Sequence, residues 1–308
     1  MSILMPRIAA RLFGEPLAID AGKLQAILLG LGGRIVEGGV SLADVTAFEH
    51  HAFAAGRPSD LAGVADNRLG RRMEAAGRSP LTLVDNVAVI PVEGTLVHKG
   101  GFIGQSSGET SYEGIQTQLQ AAMNALSVKG VVLEVDSGGG EVAGAFATAS
   151  MIRQLSAAKP TLAILSDFAL SAGYLLAAQA RQIVMPLTGA AGSIGVVAMH
   201  ADLSGKLEKD GVKVTLISSG AHKVAGHPAA PLAEDARADI QSRVDAMRLH
   251  FANAVAAGRG PRLTAEAALA TEARIYSGPD AVRAGLVDGI IDPVDAFRAF
   301  VARVNGGR

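Results

Sequence analysis

The sequence predicts an α/β fold built from βαβ units, preceded by an N-terminal helical extension. From Asn86 onward, short β-branched runs alternate with helical stretches, the pattern of a largely parallel sheet. Gly and Ala are abundant and aromatics make up only 4% of the chain, a composition that lets helices close tightly on strands. A hydrophobic share of 49% over 308 residues is enough for a substantial core.

Residues 1–80 form the extension and a connector. Apolar residues recur at helical spacing in Met5–Phe13 and Lys23–Leu31, and Ser41–Ala54 opens at a Ser41 N-cap. Gly56–Arg78, rich in Gly, Arg, Asp and Ala, leads into the main domain, 81–300, which a short tail, 301–308, follows. Strands are expected at Val87–Val92, Gly130–Val135, Thr161–Leu165, Gln182–Met185, Ile194–Ala198 and Lys213–Ile217. Pro91 cannot donate to a ladder, so the first of these suits an edge. Helices are expected between them at Tyr112–Leu126, Val142–Leu155, Ser171–Ala180 and Leu203–Asp210. A Pro- and Gly-containing loop, Val224–Pro231, then precedes a long amphipathic helix, Leu232–Ala257. Shorter helices follow at Thr264–Ala270 and from Gly278-Pro279-Asp280.

Lys plus Arg number 28 against 29 Asp plus Glu, so no net field favours nucleic acid or an anionic membrane. The chain has no cysteine, which excludes a disulfide framework, a thiol nucleophile and a cysteine zinc site and fits a reducing cytoplasm. The most apolar N-terminal stretch, Leu24–Leu31, is far short of the roughly 20 residues a membrane helix requires. Arg7 and Arg11 lead into Phe13-Gly14-Glu15-Pro16 rather than the apolar core of a signal peptide. A chain kept in a bacterial cytoplasm, without membrane or nucleic-acid partners, is expected.

Three segments could carry chemistry. Ser171, in Ala169-Leu170-Ser171-Ala172-Gly173-Tyr174, stands between a strand and an Ala-rich helix. It is either an ordinary N-cap or a nucleophile whose developing charge the helix N-terminus would stabilise. The run Asp136-Ser137-Gly138-Gly139-Gly140 follows an apolar strand and could be a structural turn, a phosphate loop or an oxyanion hole. A Walker loop would end in Gly-Lys-Ser or Gly-Lys-Thr, and here Glu141 stands in that place. Lys223, in Ser219-Gly220-Ala221-His222-Lys223, is either a solvated surface lysine or a base. A hydroxyl needs such a base to become nucleophilic. With a reference pKa near 10.4, about one lysine in 2,500 is neutral at pH 7, and closing that gap takes roughly 4–5 kcal/mol, which burial can supply. His222 is the competing base. His50 and His51 are adjacent, and His222 and His227 lack a clustered third ligand, so no metal site is expected.

Taken together, Asp136–Gly140, Leu170-Ser171-Ala172-Gly173, Gly192-Ser193-Ile194-Gly195-Val196 and Ser219–Lys223 resemble the signal peptide peptidase family of serine-lysine proteases. The likeness is greatest to its phage branch, the head-maturation or capsid-assembly proteases. There it extends from Pro6-Arg7-Ile8-Ala9 through Phe13–Leu17 to Tyr276-Ser277-Gly278 and Ala284-Gly285-Leu286. The resemblance implies a Clp protease/crotonase-like fold. It makes Ser171 the nucleophile, Lys223 the general base, the backbone N–H groups of Gly139 and Ala172 the oxyanion donors, and Ser193 the hydroxyl that orients the lysine. Many relatives carry proline at the position of Gly138, and losing it loosens the turn. The transmembrane helix of the membrane-anchored members is not found here, which weakens signal-peptide degradation as the role. In several phage relatives a scaffold segment follows the protease, and this chain stops before one.

The implied function is an endopeptidase, without cofactor, acting on scaffold, portal or coat protein in the host cytoplasm or the phage procapsid. The implied assembly is a homo-oligomer whose serine and lysine meet across a subunit boundary. A noncatalytic capsid-assembly protein would not need Ser171, Lys223 and both glycine elements. A crotonase-like acyl-CoA enzyme would leave Lys223 without a task and lacks an evident acid-base carboxylate pair.

Overall fold

The computed structural model describes residues 16–19, 24–25, 70, 74–75, 77–100, 102–106 and 108–306. Apart from Leu24 and Gln25, which are helical, the helices expected at Met5–Phe13, Lys23–Leu31 and Ser41–Ala54 lie outside these residues.

Three long parallel strands form the centre: β3 (Val87–Val97), β6 (Gly130–Glu141) and β7 (Thr161–Leu170), with β6 between the other two. β8 (Gln182–Met185) and β9 (Ala190–Gly192) pair in succession along the outer edge of β7, and β11 (Gly289–Ile290) and β10 (Ile275–Ser277) extend from them. On the other flank β2 (Thr82–Val84) pairs with the start of β3. β5 (Glu109–Ser111) pairs with the end of β3, and β4 (Gln105–Ser106) pairs with β5. Pro91 falls in the gap between β2 and β5, so β3 is an inner strand that is an edge only where proline requires one. Residues from the extension also join the sheet, as β1 (Leu17–Ile19) runs antiparallel to the end of β6.

Side chains alternate between two cores, as a pleated sheet demands. Val131, Leu133 and Val135 of β6 face the larger core with α1 (Tyr112–Asn124), α2 (Ala145–Ala158) and α3 (Ala172–Ala177). Val132 faces the smaller core, covered by Ala296 and Phe300 of α8 (Pro293–Val304). The tail expected from residue 301 is therefore the last turn of α8, since Val301 and Val304 pack on this core.

Further helices among the described residues include α4 (Ser204–Lys209), α5 (Glu234–Arg259), α6 (Ala265–Ala270) and α7 (Gly278–Arg283). Phe251, Ala252, Val255 and Arg259 are buried at the C-terminal end of α5, whereas in its first half only Ala236 is. Arg259, its side chain 1% exposed, donates to the Gly285 carbonyl at 3.0 and 2.8 Å and to both Asp288 carboxylate oxygens at 2.9 and 2.8 Å. Tyr174 of α3 donates its hydroxyl to the Leu286 carbonyl at 2.9 Å. The turn 285–288 thus ties the end of α5 to the helix that follows Ser171.

Two expected strands are not formed. Ile194–Ala198 contributes a single bridge, Val197 to Leu17. Lys213–Ile217 is exposed and carries no ladder, and Ile217 is 96% exposed. Its alternating apolar side chains satisfy the period-2 pattern, but among the described residues no neighbouring strand bonds it.

Candidate active site

The site forms where β7 ends. β7 stays with β6 as far as the Ala169–Ser137 pair, then turns into α3. The turn is Ser171, with φ 52° and ψ −122°, a conformation an L-residue occupies only under constraint, at about 1–3 kcal/mol. Its N–H donates to the Gly192 carbonyl at 2.9 Å, and its carbonyl accepts from Leu175 at 2.9 Å. The N-cap reading is corrected here. Ser171 stands at the N-cap position but makes no side-chain capping bond, because this backbone turns its hydroxyl away from the helix. Oγ reaches instead the Gly195 carbonyl, at a long 3.5 Å. Ser171 is fully buried.

Ala172 is the first residue of α3, so its N–H is among those with no acceptor inside the helix. Gly139 comes up to it from β6. A Cβ on Gly139 would stand 2.9 Å from Ser171 Cβ and 3.0 Å from the Ala172 nitrogen, and φ is +94°, so glycine is required on both counts. The glycine run lies within β6, at an irregularity in its pairing with β3, rather than in a turn beyond the strand. Gly140 lies so close to β3 that a Cβ there would meet the Leu96 carbonyl oxygen at 1.9 Å. The N–H of Gly139 donates to Ser137 Oγ at 3.1 Å, and that hydroxyl donates onward to the Gly94 carbonyl at 2.7 Å.

The structure brings together Ser171, Gly139 and Ala172, but it does not bring Lys223 to them. Lys223 lies on an exposed turn, its N–H on the Gly220 carbonyl at 3.2 Å, and among the described residues no hydrogen bond or ion pair joins it to Ser171 or Ser193. Its neighbour His222 places Nδ1 3.8 Å from Asp239 at the surface. Ser193 has a strained backbone as well as its hydroxyl. Its φ is +55° and its N–H donates to the Arg274 carbonyl at 3.0 Å, fixing the segment whose Gly192 and Gly195 carbonyls hold Ser171.

Ser137, Gly192 and Gly195 were not singled out from sequence for these contacts, although all three lie inside the motifs quoted above. Below the glycine run, burial pushes the Glu93 carboxyl above its ordinary value, and the nearby charges of Glu134 and Asp136 push it further. Among the described residues no group of His, Asp or Glu could hold a metal ion, and no helix is long and apolar enough to cross a membrane.

The sequence profile described as Peptidase family S49 matches residues 153–304, a span that includes both Ser171 and Lys223. The capsid assembly protease C of Escherichia phage lambda is 38% identical over 99% of this chain and 69% of its own length. The head-tail preconnector protein GP5 of Enterobacteria phage P21 is 37% identical over 98% of this chain and 58% of its own. A protein described as a signal peptide peptidase SppA of Enterococcus faecium is 33% identical over 68% of this chain and 61% of its own. Among solved structures, a membrane protease of Pyrococcus horikoshii specific for a stomatin homolog covers 70% of this chain and 79% of its own at 12% identity, with a TM-score of 0.42. An enoyl-CoA hydratase of Shewanella pealeana covers 73% and 72% at 11% identity, also with a TM-score of 0.42. On the profile match and the similarity to the lambda protein, the chain belongs to peptidase family S49 and is a serine peptidase.

Proposed function

We propose that the chain is an endopeptidase of phage head assembly in which Ser171 is the nucleophile and Lys223 of a neighbouring copy is the base. The observation that carries the reading is the backbone of Ser171. Its positive-φ conformation goes with a hydroxyl that makes no helix-capping bond, and the Ser171 Cβ that carries it lies close to Gly139, as does the Ala172 nitrogen. Attack of Oγ on a peptide carbonyl passes its proton to the lysine amine and forms a tetrahedral oxyanion. The Ala172 and Gly139 N–H groups receive that charge, the latter by leaving Ser137 Oγ. The lysine then returns the proton to the departing amine, and water hydrolyses the acyl-enzyme.

Lys223 must be desolvated to act as a base, and in the single chain it lies exposed on a turn. A second copy packed over the exposed run 212–223 would supply that burial, with Ser193 orienting the amine. The lambda relative is named for capsid assembly and the P21 relative for the head-tail preconnector, which supports a role in head assembly; scaffold, portal or coat protein is the proposed substrate, in the host cytoplasm or the procapsid. The chemistry calls for no cofactor.

A serine-directed fluorophosphonate probe tests the nucleophile. Ser171 should carry the label, and Ser171→Ala should remove it. Lys223→Ala and Lys223→Arg should each reduce cleavage to below about 1% of wild type, because guanidinium keeps its proton. Comparable turnover by any of these purified, folded variants sinks the assignment.

A further inference from the structure

β6 has no β7 beside it after Ser137, so Gly139–Glu141 present an open strand edge next to Ser171. In this structure the edge is filled by the chain itself. Ile19, Ala18 and Leu17 lie antiparallel to it, opposite Gly139, Gly140 and Glu141 respectively. The far side of this short strand is also bonded: Leu17 donates to the Val197 carbonyl at 2.8 Å and accepts from the Val197 N–H at 2.9 Å. Leu17, Ala18 and Ile19 are each at most 5% exposed. The Ala18 carbonyl oxygen stands 2.2 Å from the point a Cβ on Gly139 would occupy, the point that is 2.9 Å from Ser171 Cβ and 3.0 Å from the Ala172 nitrogen.

We infer that Leu17–Ile19 is a resident peptide in the protease's own substrate groove, and that it must leave before a substrate protein can enter. An open strand edge beside a nucleophile is where an extended peptide gains main-chain hydrogen bonds, and here those bonds are already made to three residues of the same chain. Tethering makes the occupant hard to displace. At an effective concentration of the order of 1 mM, it outweighs a substrate of equal affinity present at about 10 μM by roughly a hundredfold. Ser171, next to the occupied edge, is completely buried. The occupant also describes the kind of segment the groove admits: extended, apolar, and with a small residue in the middle, where Ala18 packs into the main core.

The test is binding, so it does not depend on Ser171 being the nucleophile. A fluorescein-labelled peptide of residues 14–22 is titrated into the full chain carrying Ser171→Ala, with and without Leu17→Pro, and anisotropy is recorded. Leu17→Pro removes the N–H that bonds Val197, and should tighten peptide binding at least tenfold. Equal affinity overturns the inference. A second chain carries Ser171→Ala with Leu17→Cys and Val197→Cys, placed across the hydrogen-bonded pair in a sequence that has no other cysteine. Oxidised, it should bind no peptide, and after dithiothreitol it should bind like Ser171→Ala alone. Identical binding in both states, or failure of the two thiols to join, also overturns it. This pair decides alone if Leu17→Pro does not fold.

Discussion

Replacing Asp288 with asparagine removes one charge and almost no volume, and it should be among the most damaging conservative changes in the protein. Arg259 is buried with its guanidinium against both Asp288 oxygens, while Arg262 reaches the same carboxylate at 3.1 Å and the Ile183 N–H donates to it at 2.8 Å. Asp288→Asn leaves Arg259 its two bonds to Gly285 but no anion. An uncompensated buried charge costs roughly 3–5 kcal/mol. At about 2–4 °C per kcal/mol for a domain of this size, the melting temperature should fall by roughly 6–20 °C.

The effect has a pH signature. Burial alone would push the Asp288 carboxyl up. The Arg259 hydrogen bonds and charge, the Ile183 N–H and Arg262 outweigh it and hold the group below its ordinary value. A depressed folded-state value means that the carboxylate contributes stability above the unfolded value, near 3.9, and loses it as pH falls through the folded one. Thermal melts of wild type and variant, followed by circular dichroism from pH 7 downward, should therefore converge in acid. A loss below about 1 kcal/mol at pH 7, or a gap that does not shrink on acidification, would refute the reasoning.

Three further outcomes are expected. Inactive Ser171→Ala and Lys223→Ala chains, co-assembled, should recover part of the peptide cleavage, because some interfaces then pair an intact serine with an intact lysine; silence from verified mixed oligomers places both residues in one chain. Gly140→Ala drives a methyl group into the Leu96 backbone and should cost about 1–3 kcal/mol or more in denaturant melts, with loss of fluorophosphonate labelling. Lys159, whose ammonium donates to the Ala122 carbonyl of α1 and to that of its C-cap Ala125, 2.6 and 2.8 Å away, should cost about 1–3 kcal/mol as Lys159→Met, measured in urea.

The sheet was legible where strands are long and buried on both faces. Val87–Val92, Gly130–Val135 and Thr161–Leu165 are all strands, each running further than its apolar run because Gly, Ser and Asp carry the ladder toward the site. Lys213–Ile217 failed in the opposite sense, since alternation describes a strand's faces but says nothing of a partner for its edges. The three residues of β1 are too few to show a period, and their partners lie more than a hundred positions away. At the site, the motifs located Ser171 and Gly139. The spatial relation of Lys223 to them was not legible, because its exposed segment carries no buried apolar pattern that would fix its place against the core. The released hydroxyl of Ser171 was not legible either, because Ser-Ala-Gly before a helix reads as a cap whichever way the backbone turns.

That backbone has an evolutionary consequence. At φ 52° and ψ −122°, folding alone would choose glycine, which meets this conformation without a Cβ penalty. On the role proposed for Ser171, every lineage that stops needing the hydroxyl is therefore offered a stabilising substitution at the very position that would end catalysis. On the same proposal a serine kept at 171 would record continued use, and Ser171→Gly in an otherwise intact relative would mark a protein that has kept the sheet and abandoned the chemistry.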